Sequence, residues 1–155
     1  MELDQTDRAI VRRLMKDARQ SNKELAAAVG VAPSTLSERL RRLGTAGVFR
    51  GFHADVDRQA LGIGLEAMLA IRLRNHTATE VERLKEHAFA MREVIGLYHV
   101  TGANDFQVHV AVRDADHLRD LAVTGFTTLP EVGHIQTSLI FEHVYRTELP
   151  DYGDT

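Results

Sequence analysis

The chain predicts an α+β fold in two parts: an N-terminal winged helix-turn-helix domain and a C-terminal ferredoxin-like βαββαβ domain with an antiparallel sheet. Three observations lead there. Residues 21–43, SNKELAAAVGVAPSTLSERLRRL, read as two short helices joined by a glycine turn. From residue 65 the apolar period changes from helical to two. The segments after that point follow the order β-α-β-β-α-β, the pattern of a split βαβ unit. The boundaries expected are 1–50 for the helix-turn-helix domain, 51–64 for a connecting strand or linker, and 65–155 for the second domain.

The first helix opens on Asp4 as its cap, carries Leu3, Ile10, Val11, Leu14 and Met15 as apolar positions, and runs to about Ala18. In the second, Leu25, Ala26 and Val29 share one face, and Gly30 breaks the helix. Pro33 suits the first position of the third helix, because the N–H it lacks would have no helical partner there. Leu36, Leu40 and Leu43 recur at i, i+4 and i+7 and must face inward. Ser34, Thr35, Ser37, Glu38, Arg41 and Arg42 therefore project outward. Small hydroxyls in the first turn of such a helix suit base edges in the major groove, and arginines farther along suit phosphates or guanine edges. Ser34, Thr35, Ser37, Arg39, Arg41, Arg42 and Arg50 are accordingly the candidate DNA-binding residues. An amphipathic helix pair with a solvated basic face would show the same arginines. Residues 47–56, GVFRGFHADV, read as a wing or connecting strand, and the two glycines of residues 59–64 mark the domain boundary.

In the second part, Leu65, Ala67, Leu69, Ile71 and Leu73 alternate with Glu66, Met68, Ala70 and Arg72, as in a strand. A helical pattern begins at Thr79 with Val81, Leu84, Ala88 and Met91 on one face. Residues 94–101 are strand-like, and Phe106, Val108, Val110 and Val112 give the cleanest alternation in the chain. A second helix is expected from Asp114 and a last strand over residues 133–145. Met68, Ala70, Ile95, Leu97, Ala111 and Ile140 place apolar side chains on the sheet face away from the helices, which predicts a second copy packed there and hence at least a homodimer.

Composition narrows the classes. The 155 residues carry no cysteine, which excludes disulfides, thiolate metal sites and cysteine nucleophiles. Neither an 18-residue apolar run nor a basic, then apolar, leader is present, so the expected location is the cytoplasm, with no membrane contact. The net charge of −3 hides an asymmetry, since residues 1–64 carry +3 and residues 65–155 carry −6. The basic part is the helix-turn-helix part, a pattern consistent with nucleic-acid contact. Eight histidines, His99 and His109 among them, show no metal-ligand spacing, so neither a metal nor another cofactor is expected. No constellation of catalytic residues is evident either.

The opening LDQTDRAIVRRLMKDAR, the segment VGVAPSTLSERLRRLGTAGVFRGFHADVD and the Val-Thr-Gly-Ala-Asn-Asp turn at 100–105 together resemble the Lrp/AsnC, or feast/famine, family of transcriptional regulators. The resemblance covers nearly the whole chain. It implies a sequence-specific regulator of double-stranded DNA, not an enzyme, whose second domain senses a small effector, expected to be an amino acid. It also implies a homodimer that assembles further to a tetramer or octamer. Gly102, Asn104 and Asp105 are the implied effector residues: Gly102 lets the backbone approach the ligand and Asp105 faces its ammonium group, with Thr137 and Ser138 as hydroxyl donors. The turn has a structural reading too, because Gly and Asn tolerate positive φ in tight hairpins. Two positions depart from the family pattern. Ala32 replaces the usual capping serine, and Asn104 stands where many members have an aromatic residue. A tetrapyrrole-modifying enzyme of similar architecture, or a sensor without DNA binding, are the alternative readings.

Overall fold

The computed structural model describes residues 2–153, which divide into two compact units. The first runs to Asp55 and takes in the C-terminal segment from Val144, while the second spans Val56–His143. The division between Asp55 and Val56 lies inside the segment 51–64 expected as the linker. The segment from Val144, expected with the second domain, belongs to the first.

The first unit contains α1 (Gln5–Lys16), α2 (Asn22–Val29) and α3 (Pro33–Thr45). Asp4 and Ser21 cap α1 and α2 through reciprocal capping boxes with Asp7 and Glu24, satisfying N–H groups that the first turn leaves without helical partners. α1 stops at Lys16, short of the expected Ala18. Asp17 accepts from the Arg19 N–H, and the Gln20 amide donates to the Arg13 and Asp17 carbonyls, so side chains take over the backbone groups there. Gly30 ends α2 at φ +72°, a left-handed conformation that side-chain-bearing residues resist. Ile10, Leu25, Ala26, Leu36 and Leu43 form the core of this unit. Residues 48–57 form neither strand nor helix. The expected wing strand is absent, because an extended segment needs a ladder partner and no described residue pairs with this one.

In the second unit a 3₁₀ turn (Gln59–Leu61) precedes β1 (Leu65–Leu73), α4 (Ala78–Phe89), β2 (Val94–His99), β3 (Phe106–Val112), α5 (Ala115–Asp120) and β4 (Val132–Ile140). A π-helical stretch, Leu121–Thr127, continues α5. The strands form one antiparallel sheet in the order β2-β3-β1-β4, the ferredoxin-like arrangement expected. Ala67, Leu69 and Ile71 stand opposite Val110, Val108 and Phe106 and join Val81, Leu84, Ala88, Leu118 and Phe126 in a core between the sheet and its helices. β4 ends at Ile140, five residues before the expected Tyr145.

The other sheet face carries Met68, Ala70, Ile95, Ala111 and Ile140, as expected, but not Leu97. A register irregularity between Val94 and Gly96 shifts the alternation of β2, so Leu97 lies opposite the core residue Val108 and packs with the core. Within this open face Glu66 binds His109 Nε2 at 2.7 Å and Arg58 Nε at 3.2 Å.

Candidate DNA-binding and effector sites

α3 exposes a first turn of Ser34 and Thr35 while Leu36 and Leu43 turn inward. Ser37 is also exposed, but its hydroxyl donates to the Pro33 carbonyl at 2.9 Å. Ala32 supplies no side-chain hydrogen bond to the helix start, which relies on Pro33 instead. The three arginines of α3 divide by their partners. Arg39 Nη1 donates to Asp4 at 2.6 Å and Asp7 at 2.8 Å, and Arg42 Nη2 donates to the other oxygen of Asp7. Asp7 is only 1% exposed, so these ion pairs close around a buried carboxylate and tie α3 to the start of α1. The hydrogen bond from Arg39 holds the Asp4 carboxyl below the usual carboxylate range, and Asp4 and Asp7 in turn raise the Arg39 guanidinium. Arg41 lies exposed on the helix and Arg50 exposed in the segment after it. Arg39, a candidate DNA-binding residue, has a side chain 25% exposed and turned to α1, and Arg42, expected to project outward, is 48% exposed and also bound to Asp7.

The second candidate site gathers only in part. Gly102 adopts φ +119°, while no residue other than glycine has positive φ among those described, so Asn104 does not use the freedom attributed to it. Asp105 is anchored on three sides. Its N–H donates to the Ile71 carbonyl, its carbonyl accepts from Val100, and its Oδ2 accepts from the Leu73 N–H at 2.7 Å. Its Oδ1 lies 3.0 Å from His76 Nδ1. Thr137 and Ser138 stand opposite Leu69 and Met68, so they point to opposite sheet faces and cannot both serve one ligand. β1 also separates them from Asp105 within the sheet by two strand spacings, roughly 10 Å across the sheet, and they are offset along the strands as well. His76 was not among the expected residues. No local pattern marks it, because only the meeting of the β1–α4 loop with the start of β3 brings it to Asp105.

His99 and His109 lie toward opposite ends of the β2–β3 ladder, opposite Phe106 and Gly96. Among the described residues no three His, Asp or Glu side chains gather as metal ligands, and no helix is long and apolar enough to cross a membrane.

The family model described as the AsnC-type helix-turn-helix domain matches residues 3–43, and the Lrp/AsnC ligand binding domain matches residues 66–150. The chain belongs to the Lrp/AsnC family. Within that family it is 42% identical to the HTH-type transcriptional regulator AldR of Mycobacterium tuberculosis, over 92% of this chain and 80% of that one. Its fold is similar to the crystal structure of the transcriptional regulator NMB0573/L-Met complex from Neisseria meningitidis, with a TM-score of 0.88, 25% identity and 96% of each chain covered. E. coli AsnC is similarly close, with a TM-score of 0.84 and 26% identity over 94% of this chain and 97% of that one. This Lrp/AsnC chain is therefore a helix-turn-helix transcriptional regulator with a ligand-binding domain, not an enzyme. The tetrapyrrole-modifying alternative is set aside on these relatives.

Proposed function

We propose that the regulator binds an operator as a homodimer, with one α3 from each subunit in successive major grooves about 34 Å apart. Ser34 and Thr35 meet base edges, Arg41 and Arg50 meet phosphates, and Ser37 lies along the same face. Arg39 and Arg42 hold α3 in place, with Arg42 the nearer of the two to solvent. The observation that carries this reading is the division of α3 into an exposed Ser34, Thr35 and Arg41 face and an Arg39, Arg42 face bound to Asp7. Dimerisation proceeds through the open sheet face, and dimers assemble further to a tetramer or octamer in the cytoplasm.

The small effector is an amino acid, bound at the Gly102–Asp105 turn with its ammonium group on Asp105. The L-Met complex of the Neisseria relative supports an amino acid as the class of ligand. Fluorescence anisotropy with DNA from upstream of the regulator's own gene and with a scrambled duplex, across salt and with and without amino acids, tests the whole reading. Tighter binding to the upstream DNA that shifts with amino acids is the expected result. Binding that ignores every amino acid would remove the effector from the reading, and no binding at low salt would remove the DNA.

A further inference from the structure

His76 occupies the oxygen of Asp105 on which the effector's ammonium would sit. Asp105 Oδ2 is committed to the Leu73 N–H, which leaves Oδ1 as the oxygen for an incoming cation, and His76 Nδ1 lies 3.0 Å from it. The imidazole is also supported from behind. It stacks on His99 with ring centroids 5.8 Å apart, and His99 stacks on the buried Phe106 at 4.6 Å. The loop carrying His76 is pinned on both sides. Arg74 donates its backbone N–H to the Glu131 carbonyl and its side chain to the Val132 carbonyl, and Thr77 caps α4 through the Glu80 N–H. His76 itself is 58% exposed on its side chain, so rotation of the ring alone uncovers Oδ1 without moving the backbone.

We infer that His76 is a built-in competitor for the effector: its ring must leave Asp105 before an amino acid's ammonium group can bind there. This rests on the proposed effector site at Asp105. His76 Nδ1 lies within hydrogen-bonding distance of the carboxylate oxygen that the ammonium needs, so an effector that binds there must first displace this contact.

The test uses the full chain. Each of the twenty proteinogenic amino acids is screened by thermal shift, and the one that binds most tightly is titrated calorimetrically against wild type, His76→Ala, His76→Gln and Asp105→Asn. Asn at position 105 keeps an oxygen for the Leu73 N–H while removing the charge, so the turn retains its anchor. The expected result is an affinity about tenfold higher in His76→Ala than in wild type, the scale of one hydrogen bond to a charged group removed. His76→Gln, which keeps a neutral donor, should fall between the two. Equal affinity in wild type and both His76 variants, with binding abolished in Asp105→Asn, would overturn the competitor and leave the site standing. Weaker binding in both His76 variants would also overturn it, because His76 would then hold the effector. Full binding in Asp105→Asn, or no binding of any amino acid by any of the four proteins, would overturn the site and the competitor together. Binding by His76→Ala but not by wild type would support both.

Discussion

Asp7 is the residue on which the geometry of the helix-turn-helix turns. A carboxylate that is 1% exposed is tolerated only when its charge is met, and Arg39 and Arg42 meet it from the neighbouring helix. Asp7→Asn leaves both guanidiniums in place without that charge. Because their side chains are 25% and 48% exposed and so retain water, we expect a loss of about 2 kcal/mol, below the full range for a broken buried pair. Chemical denaturation followed by far-UV circular dichroism measures it. Asp4 adds a pH dependence of definite sign. Its carboxyl is held low chiefly by the hydrogen bond from Arg39, so its contribution is present above the unfolded value of about 4 and is lost as pH falls through the lower folded value. Acid unfolding of Asp4→Asn should begin from a less stable protein and show a shallower pH dependence in that window; identical profiles for variant and wild type would remove Asp4 from the network. Arg41, exposed on α3, is proposed to meet phosphate. Arg41→Ala should reduce the salt slope of DNA binding by about one and leave the melting temperature unchanged, whereas a change in stability without a change in slope would move it from the interface to the scaffold.

The start of α3 lacks a capping side chain. Ala32 has extended backbone angles suited to a cap but makes no side-chain bond, so Ala32→Ser should raise stability by about 1 kcal/mol in thermal denaturation with the fold unchanged. The three N-terminal helices, β1 and β3 were legible because their apolar periods are long and consistent, which is why Leu36 and Leu43, or Phe106 and Val108, are found where the spacing put them. Other features were settled by partners that spacing does not reveal. Residues 47–56 have strand composition but pair with no described strand, and the irregularity at Ile95 moved Leu97 to the core. The π-helical stretch after α5 has no periodic signature of its own. The sites follow the same rule. Exposure of Ser34, Thr35 and Arg41 follows from where the leucines point, while the Asp7 ion pairs and His76 beside Asp105 depend on contacts between segments distant in sequence. Thr137 and Ser138 could have been separated at once, because adjacent strand residues face opposite ways.

At the scale of the molecule, the sheet has helices on one face and an open face where Ala70 and Ala111 are each 8% exposed beside Met68 and Ile140. If this face joins two copies, a carboxylate at its centre is costly, since it would be buried against an apolar partner. Ala70→Glu and Ala111→Glu together should give a monomer in equilibrium sedimentation at micromolar concentration; a dimer unchanged by both would place the interface elsewhere. The first unit, by contrast, is completed by a segment that follows the second unit in sequence. Asp151 pairs with Arg8 and Arg12 of α1, and Tyr145 bonds to Asp55. During synthesis, then, α1 to α3 leave the ribosome before the second unit, and these clasps cannot close until that unit has been made. The DNA-binding part of a partly made chain lacks them, and a protease that removed the segment from Val144 would return the finished protein to that provisional state.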